Sequence, residues 1–311
     1  MTDIVYIGTA LMDSMIRGFD PEPVSSAGYR AGSGYLNIGG EEVNGSIASV
    51  RLGDRAAIFC TLGNDMAGDM IASKLAEQGV DTSRILRSDD HPTPVTTIFV
   101  AEDGNRKSIT NGSHGYNFHP EKYPERFTDA GAIVLGSLFR APFNDPYVVR
   151  AVVNAAKESG QLVFADTKLP NFRKLSLGDI ADSLPMIDYI SPNEDEAKWI
   201  TGETDPDRMA DVLLGMGVRN VIIKLGGKGC FFKNSDETVR LAACNVDVVD
   251  TTGAGDNFLA GFIYGIIRGK TNREAMEFAN ACGAICATVV GANTALKDRE
   301  QVESLLAAKN H

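Results

Sequence analysis

The sequence holds little that would tie it to a membrane, a nucleic acid or an oxidising compartment. No apolar run reaches the ~18 residues that suggest a bilayer span. The first residues, MTDIVYIGTALMD, lack the basic stretch and apolar core of a secretory leader. The formal net charge is −11 and no block of consecutive Lys and Arg interrupts it, so the overall field repels DNA, RNA and anionic lipid. Cysteines are few. Cys60, Cys230, Cys244, Cys282 and Cys286 are odd in number and form no CxxC pair, which gives neither a disulfide framework nor a zinc site. Cys282 and Cys286 stand four apart in a helical stretch of small residues and read as buried apolar positions rather than metal ligands. There is no internal repeat and no low-complexity segment. Two nucleotide fingerprints are also missing: no GxxxxGK[ST], and no GxGxxG after a predicted strand. These absences predict a soluble, cytoplasmic protein with no nucleic-acid or membrane partner.

What is present is enough chain, 311 residues at 43% hydrophobic, to bury a large core. A single large α/β domain over 1–311 with a small attachment fits this length better than a string of modules. The 32 glycines suit many tight turns between alternating strands and helices. Ile4 to Gly8 reads as a strand buried on both faces, Ala56–Cys60 as another, with helices over Val43–Leu52 and Met66–Gln78. Val95–Val100 and Arg106–Thr110, separated by a Gly/Asn turn, form a hairpin signal. Later strands fit Ala132–Leu135, Leu162–Ala165, Tyr189–Ser191 and Val221–Lys224. Helices fit Pro146–Glu158, Glu194–Ile200 and Arg208–Met216, and two long ones, Ala254–Ile267 and Asn272–Thr288, close the chain. This alternation predicts a mostly parallel sheet with helices on both faces. The segments at about 14–40 and 93–112 fall outside the alternation, and a small β-lid over one sheet edge accounts for both.

The chemistry concentrates in Asp250-Thr251-Thr252-Gly253-Ala254-Gly255-Asp256-Asn257-Phe258. Val246–Asp250 reads as a strand end, and Gly253-Ala254-Gly255 opens a strongly helical segment. The glycines let the chain turn sharply and aim several N–H groups into one space, where they and the helix dipole attract anions. Asp256, in the first helical turn, can take a proton from a hydroxyl that attacks a phosphoryl group, while those N–H groups stabilise developing charge.

This run resembles the C-terminal signature of the ribokinase-like (PfkB) family of carbohydrate and nucleoside kinases. The family's N-terminal signature is matched by Gly39-Gly40, Asn44, Ser46, Gly53 and Gly63, in the expected order and separation, so the resemblance covers nearly the whole chain. It departs at Glu42, where the family usually carries a small residue or Pro, and has Gly45 in a helix-starting position. The resemblance implies a three-layer ribokinase-like α/β fold with a β-lid, and ATP-dependent phosphorylation of a hydroxyl on a small sugar such as ribose, fructose or 2-keto-3-deoxygluconate. A nucleoside kinase would use the same machinery, with Tyr29, Tyr35, Tyr116 and Phe118 available to stack a base or simply to pack. A non-catalytic sugar or nucleotide sensor is a third reading, which intact Asp256, Gly255 and Asn193 oppose.

Carried over position by position, the resemblance puts Asp13, Gly39, Gly40 and Asn44 on the sugar hydroxyls. Asn193 and Glu196, in Asn-x-x-Glu, fall where the family handles Mg²⁺ and phosphate, as hard oxygen donors acting through water. Lys224, Gly226 and Gly229 lie in a glycine turn approaching the ATP phosphates, and Asn280 beside the adenine. Asp250, with carbonyls around Thr252 and the 288–295 segment, resembles the K⁺ site of potassium-activated members. Asp166 with Lys168, at a strand end, either touches substrate or phosphate or forms a structural ion pair. Arg106, Lys107, Asn111 and His114 in the lid are candidates for sugar selection, and exposed lid edges invite a homodimer.

Overall fold

The computed structural model describes residues 2–18, 31–101, 106–111, 118–171 and 175–309. The turn at 102–105 and the side chains of Tyr29, Arg106, His114 and Tyr116 lie outside the described part. The chain begins with β1 (Thr2–Ile7), β2 (Leu11–Arg17), β3 (Ser33–Gly39), α1 (Glu41–Leu52), β4 (Ala56–Phe59), β5 (Thr61–Gly63) and α2 (Met66–Glu77). It continues through β6 (Leu86–Ser88), β7 (Val95–Val100), β8 (Arg106–Thr110), β9 (Ala130–Leu138), α3 (Pro146–Glu158), β10 (Leu162–Thr167) and β11 (Tyr189–Ser191). The last third holds α4 (Glu194–Thr201), α5 (Pro206–Gly215), β12 (Asn220–Lys224), β13 (Cys230–Asn234), β14 (Thr238–Leu241), α6 (Ala254–Ile267), α7 (Asn272–Cys286) and α8 (Arg299–Lys309).

The main sheet runs β14-β13-β12-β11-β10-β9-β1-β4. Neighbours from β4 to β12 are parallel; β13 and β14 add an antiparallel end. Alternation along β1 explains the near-continuous apolar run at its start. Val5 and Ile7 face one core with Ile133, Leu135, Val149 and Val152, whereas Ile4 and Tyr6 face the opposite core with Val134, Phe262 and Ala279. This is the three-layer α/β arrangement expected from the sequence. A separate sheet of order β3-β2-β7-β8 gathers the two segments that stood outside the alternation. Met12 packs inward with Val43, Ile47 and Ile71, so the next residue, Asp13, is turned to the other face.

Three local expectations are corrected. No strand covers Val246–Asp250: β14 stops at Leu241, and the segment crosses to α6 as irregular chain, with Val249 and Asp250 N–H groups on the Ala287 carbonyl. Helix α1 begins at Glu41 rather than Val43, capped by Gly40 at φ 109°, where a Cβ would come 2.4 Å from the Thr9 carbonyl oxygen. Gly45 therefore lies within α1 and not at its start. Its place there is steric: a Cβ would meet the Tyr6 ring at 2.5 Å, and that ring is buried and hydrogen-bonded to Ser49. The hairpin β13–β14 and helix α8 were not anticipated. Among the described residues no helix is long and apolar enough to cross a membrane.

Because the close approach of α1 to β1 rests on Gly45, Gly45→Ala should lower unfolding free energy by about 1–3 kcal/mol through overpacking. Urea unfolding followed by circular dichroism checks this, and an unchanged midpoint would show that Tyr6 has room to move.

Candidate active site

The loop before α6 is organised by Asp250. Its Oδ1 accepts from the N–H (3.1 Å) and hydroxyl (2.7 Å) of Thr252, and its Oδ2 from the Gly291 N–H (3.1 Å). Gly253 caps α6 at φ 77°, with Ala292 only 2.2 Å from where a Cβ would sit. Ala254 departs from the expected anion-binding set, because its N–H turns back onto the Thr251 carbonyl (3.2 Å). Gly253 and Gly255 keep their N–H groups out of the described backbone bonds. Lys224 Nζ reaches the same helix end, 3.4 Å from an ideal Cβ on Gly255. Lys224 and the amides that open α6 thus lie at one helix N-terminus, which suits a phosphate.

Asp256, in the first turn of α6, accepts a 2.7 Å hydrogen bond from Asn44 Nδ2 in the first turn of α1. Asn44 is itself fixed, since its Oδ1 accepts from Asn293 Nδ2 at 2.8 Å. Arg51 in turn donates to the carbonyls of Asn293 and Leu296. Burial and the nearby Glu41 carboxylate push Asp256 up to about 6, while Asn44, Lys168 and Lys224 pull it down. A carboxylate poised there is ionised at neutral pH yet basic enough to take a proton.

Two ion pairs flank Asp256, and they are not the pair read from the sequence. Asp166 accepts from Lys224 Nζ at 2.7 Å, while Lys168 pairs with Glu41. The cause is visible in the register of β10: the pairing with β9 shifts between Ala165 and Thr167, and Lys168 lies past the strand end. Glu41, which also accepts from the Ser137 hydroxyl, was missed in the sequence. Its position beside Gly39-Gly40 was its only signal. Burial opposes ionising Glu41, but Lys168 prevails and holds its carboxyl below the usual range. Burial equally opposes charge on Lys168, and Glu41 overrides it, so the ammonium is held above its usual range. Burial pushes Asp166 up to about 7 against the pull of Lys224, helped by the Glu41, Glu196 and Asp256 carboxylates.

Asp13 lies against Gly39, where a Cβ would fall 2.3 Å from its Oδ2, and burial pushes its carboxyl up to about 6. Gly40, beside Gly39, opens α1, the helix that carries Asn44. Asn193 and Glu196 instead form a reciprocal helix cap: Asn193 Oδ1 accepts from the Glu196 N–H, and Glu196 Oε2 from the Asn193 N–H, each at 2.9 Å. Glu196 Oε2 also accepts from the Thr167 hydroxyl. Among the described residues no three His, Cys, Asp or Glu side chains gather to hold a metal. The hard oxygens of Glu196 and Asp166 fit Mg²⁺ only in the mode where phosphates and waters supply most of its ligands.

Of the groups expected to hold K⁺, the Thr252 carbonyl lies within hydrogen-bond range of the Cys286 thiol, the Ala292 carbonyl accepts from the Asn257 amide, and Asp250 accepts from Thr252 and Gly291. Asn280 donates to the Ala242 carbonyl at 2.7 Å and ties the 242–250 segment to α7. Gly226 is exposed with open space around it, whereas Gly229 packs against β14, where a Cβ would meet the Leu241 carbonyl oxygen at 1.9 Å. Of the aromatic candidates, Phe118 is buried edge-on against Phe59, and Tyr35 bonds Arg17 and Met15.

The pfkB family carbohydrate kinase model matches residues 1–299. The 2-dehydro-3-deoxygluconokinase of Bacillus subtilis (strain 168) is 32% identical over 287 residues, covering 88% of this chain and 87% of its own. The ribokinase of Haemophilus influenzae is 28% identical, covering 87% and 88%. Among solved structures, Arabidopsis thaliana ribokinase complexed with ribose and ATP superposes with a TM-score of 0.85 at 26% identity, over 98% of this chain and 99% of that one. A structure from E. coli assigned as ribokinase II, in complex with ATP and Mg²⁺, superposes with a TM-score of 0.78 at 25% identity over the whole of both chains. With its fold, its glycine-capped α6 and a family match over residues 1–299, the chain belongs to the pfkB family of carbohydrate kinases.

Proposed function

We propose that this kinase transfers the γ-phosphoryl group of ATP to a hydroxyl, typically a primary one, of a small sugar, with Asp256 as general base. The observation that carries this is Asp256 in the first turn of α6, beside the Lys224 ammonium and the Gly253 and Gly255 amides, which make no backbone hydrogen bond among the described residues. A sugar held by Asp13, Gly40 and Asn44 would present one hydroxyl to Asp256. Asp256 takes the hydroxyl proton as the hydroxyl oxygen bonds to the γ-phosphorus and the bond to the β-phosphate oxygen breaks, releasing ADP. Lys224 and the two amides face the charge that builds on the transferring group. Mg²⁺, held by phosphates and waters near Glu196 and Asp166, would neutralise phosphate charge.

Ribose, fructose and 2-keto-3-deoxygluconate are the acceptors that the relatives' names support. Of the aromatics that a nucleoside base would need, Phe118 is buried against Phe59 and the Tyr35 hydroxyl is bonded to Arg17 and Met15, while Tyr29 and Tyr116 lie outside the described residues. The sheet β3-β2-β7-β8, which carries Asp13, acts in this reading as a lid that excludes water when sugar is bound. Its outer strands expose Leu36 and Ile109, which supports pairing with a second copy. Sedimentation equilibrium should then return twice the monomer mass, and a monomer at micromolar concentration would remove that pairing.

ADP release across the three sugars, with adenosine and cytidine alongside, identifies the acceptor; sugar binding without ADP release would point to a sensor instead. Asp256→Asn should lower kcat by at least ~10²-fold while the protein stays folded. The wild-type kcat/KM for the sugar should fall on acidification with a limb near pH 6, where Asp256 takes up a proton. Near-normal turnover in the variant would refute the base assignment.

The same carboxyl gives a stability prediction. Its folded proton affinity is raised, so the folded state holds more protons and stability declines as pH rises from about 4 through about 6. Asp256→Asn removes that loss. The variant should melt higher than wild type at pH 7.5, on the order of 2–5 °C, with the gain shrinking towards pH 4. Calorimetry at the two pH values decides it; an equal difference at both would contradict the linkage.

A further inference from the structure

Behind Asp256 lies a small cavity of about 10 Å³, room for a single water, lined by Tyr6, Glu41, Glu42, Val134, Asp166 and Asp256 among others. Glu42, the residue that departs from the family signature, is only 1% exposed, and neither of its carboxyl oxygens has a hydrogen-bond partner. The fold is shaped around it. On β9 and just past the end of β1, a Cβ added to Gly136 or Gly8 would fall 1.9 Å from its Oε1. Glycine therefore stands both on β9 and just after β1 where this carboxyl passes between them.

Among the described residues no cation is paired with Glu42. Lys168 is paired with Glu41 and Lys224 with Asp166, while the Tyr6 hydroxyl is bonded to Ser49. An isolated ionised carboxylate in such a place is strongly disfavoured, and the group takes up a proton instead. Burial, reinforced by the Glu41 and Asp256 carboxylates, pushes Glu42 well above the usual range; the N–H groups of Glu42 and Thr9 face it and offset this in part without reaching hydrogen-bond geometry. A neutral carboxyl has an O–H to donate. Of the carboxylates lining the cavity, Glu41 and Asp166 each hold a lysine, whereas Asp256, among the described residues, holds the Asn44 amide and no cation. Asp256 gains most from a further donor.

We propose that Glu42 is a positioning residue that, as a neutral acid, holds one water in this cavity and donates through it to the Asp256 carboxylate. The bond favours the ionised form of Asp256 and so offsets the burial that would protonate it. This inference rests on the reading of Asp256 as the base.

The test compares Glu42→Met, which fills the space without polar atoms, with Glu42→Gln, which can still donate. The readout is the acid limb of kcat/KM for whichever of ribose, fructose or 2-keto-3-deoxygluconate wild type uses best, at saturating Mg·ATP. Glu42→Met should move the limb up by about one pH unit, a ~10-fold loss at pH values below it, and Glu42→Gln should keep it at the wild-type position. An unmoved limb in Glu42→Met, an upward shift of equal size in Glu42→Gln, or a downward shift in either overturns the proposal. Infrared spectra of wild type with ¹³C-labelled glutamate supply a test independent of variant folding. A protonated glutamic acid carbonyl band at neutral pH supports the neutral acid, and its absence overturns it. Failure of the base reading is separate: it would show as turnover retained in Asp256→Asn, whatever the Glu42 variants do.

Discussion

The hydrogen bond from Asn44 to Asp256 joins the first turns of α1 and α6, and the rest of the site is arranged around it. Both helices open on a glycine in the left-handed region, Gly40 and Gly253, and each glycine is in contact range of a neighbouring segment that leaves no space for a side chain. The approach of α1 to the sheet is set by Gly45 against Tyr6, and the back of Asn44 is held by Asn293 in the loop that also carries Ala292 and Gly291. Loosening any of these would move Asn44 and Asp256 relative to each other. Positional precision of this kind is what an in-line transfer between two bound substrates demands.

Charge is the second constraint. Around α6 the chain buries Asp166 and half-buries Glu41 and Asp256 in a protein of net charge −11, and it balances them with Lys168 and Lys224. Each lysine is tied to a carboxylate other than Asp256. Asp256 therefore keeps a raised proton affinity while both cations stay near enough to favour an incoming phosphate. Glu42 completes this pattern as a carboxyl without a cation.

Much of the fold was legible because its causes are local. The strand Tyr189–Ser191 and the helices Pro146–Glu158 and Ala254–Ile267 are bounded as their apolar periodicity and flanking residues predict. The misses have physical reasons. Val246–Asp250 has β-branched residues but no strand beside it to complete a ladder, so Val248 and Val249 stay exposed. Asp166 and Lys168 stand two apart, a spacing that would put them together on a regular strand, but the register shift in β10 separates their partners. Asn193 and Glu196, whose spacing matches a phosphate and metal motif, form a helix cap at that same spacing, a second use that the short motif does not distinguish.

The sequence by itself determined which residues are chemically able to act: a carboxylate one turn into a glycine-led helix, lysine at a strand end, and an acid and an amide near the N-terminus. Those are properties of residue type and short spacing. Only the tertiary structure decided how they are paired, that Lys224 belongs to Asp166 and Lys168 to Glu41, that Ala254 spends its N–H on a turn, and that Glu42 is enclosed between Gly8 and Gly136. Such pairings join positions 58 to 127 residues apart, and the balance of burial against neighbouring charge that sets each proton affinity exists only once those positions meet.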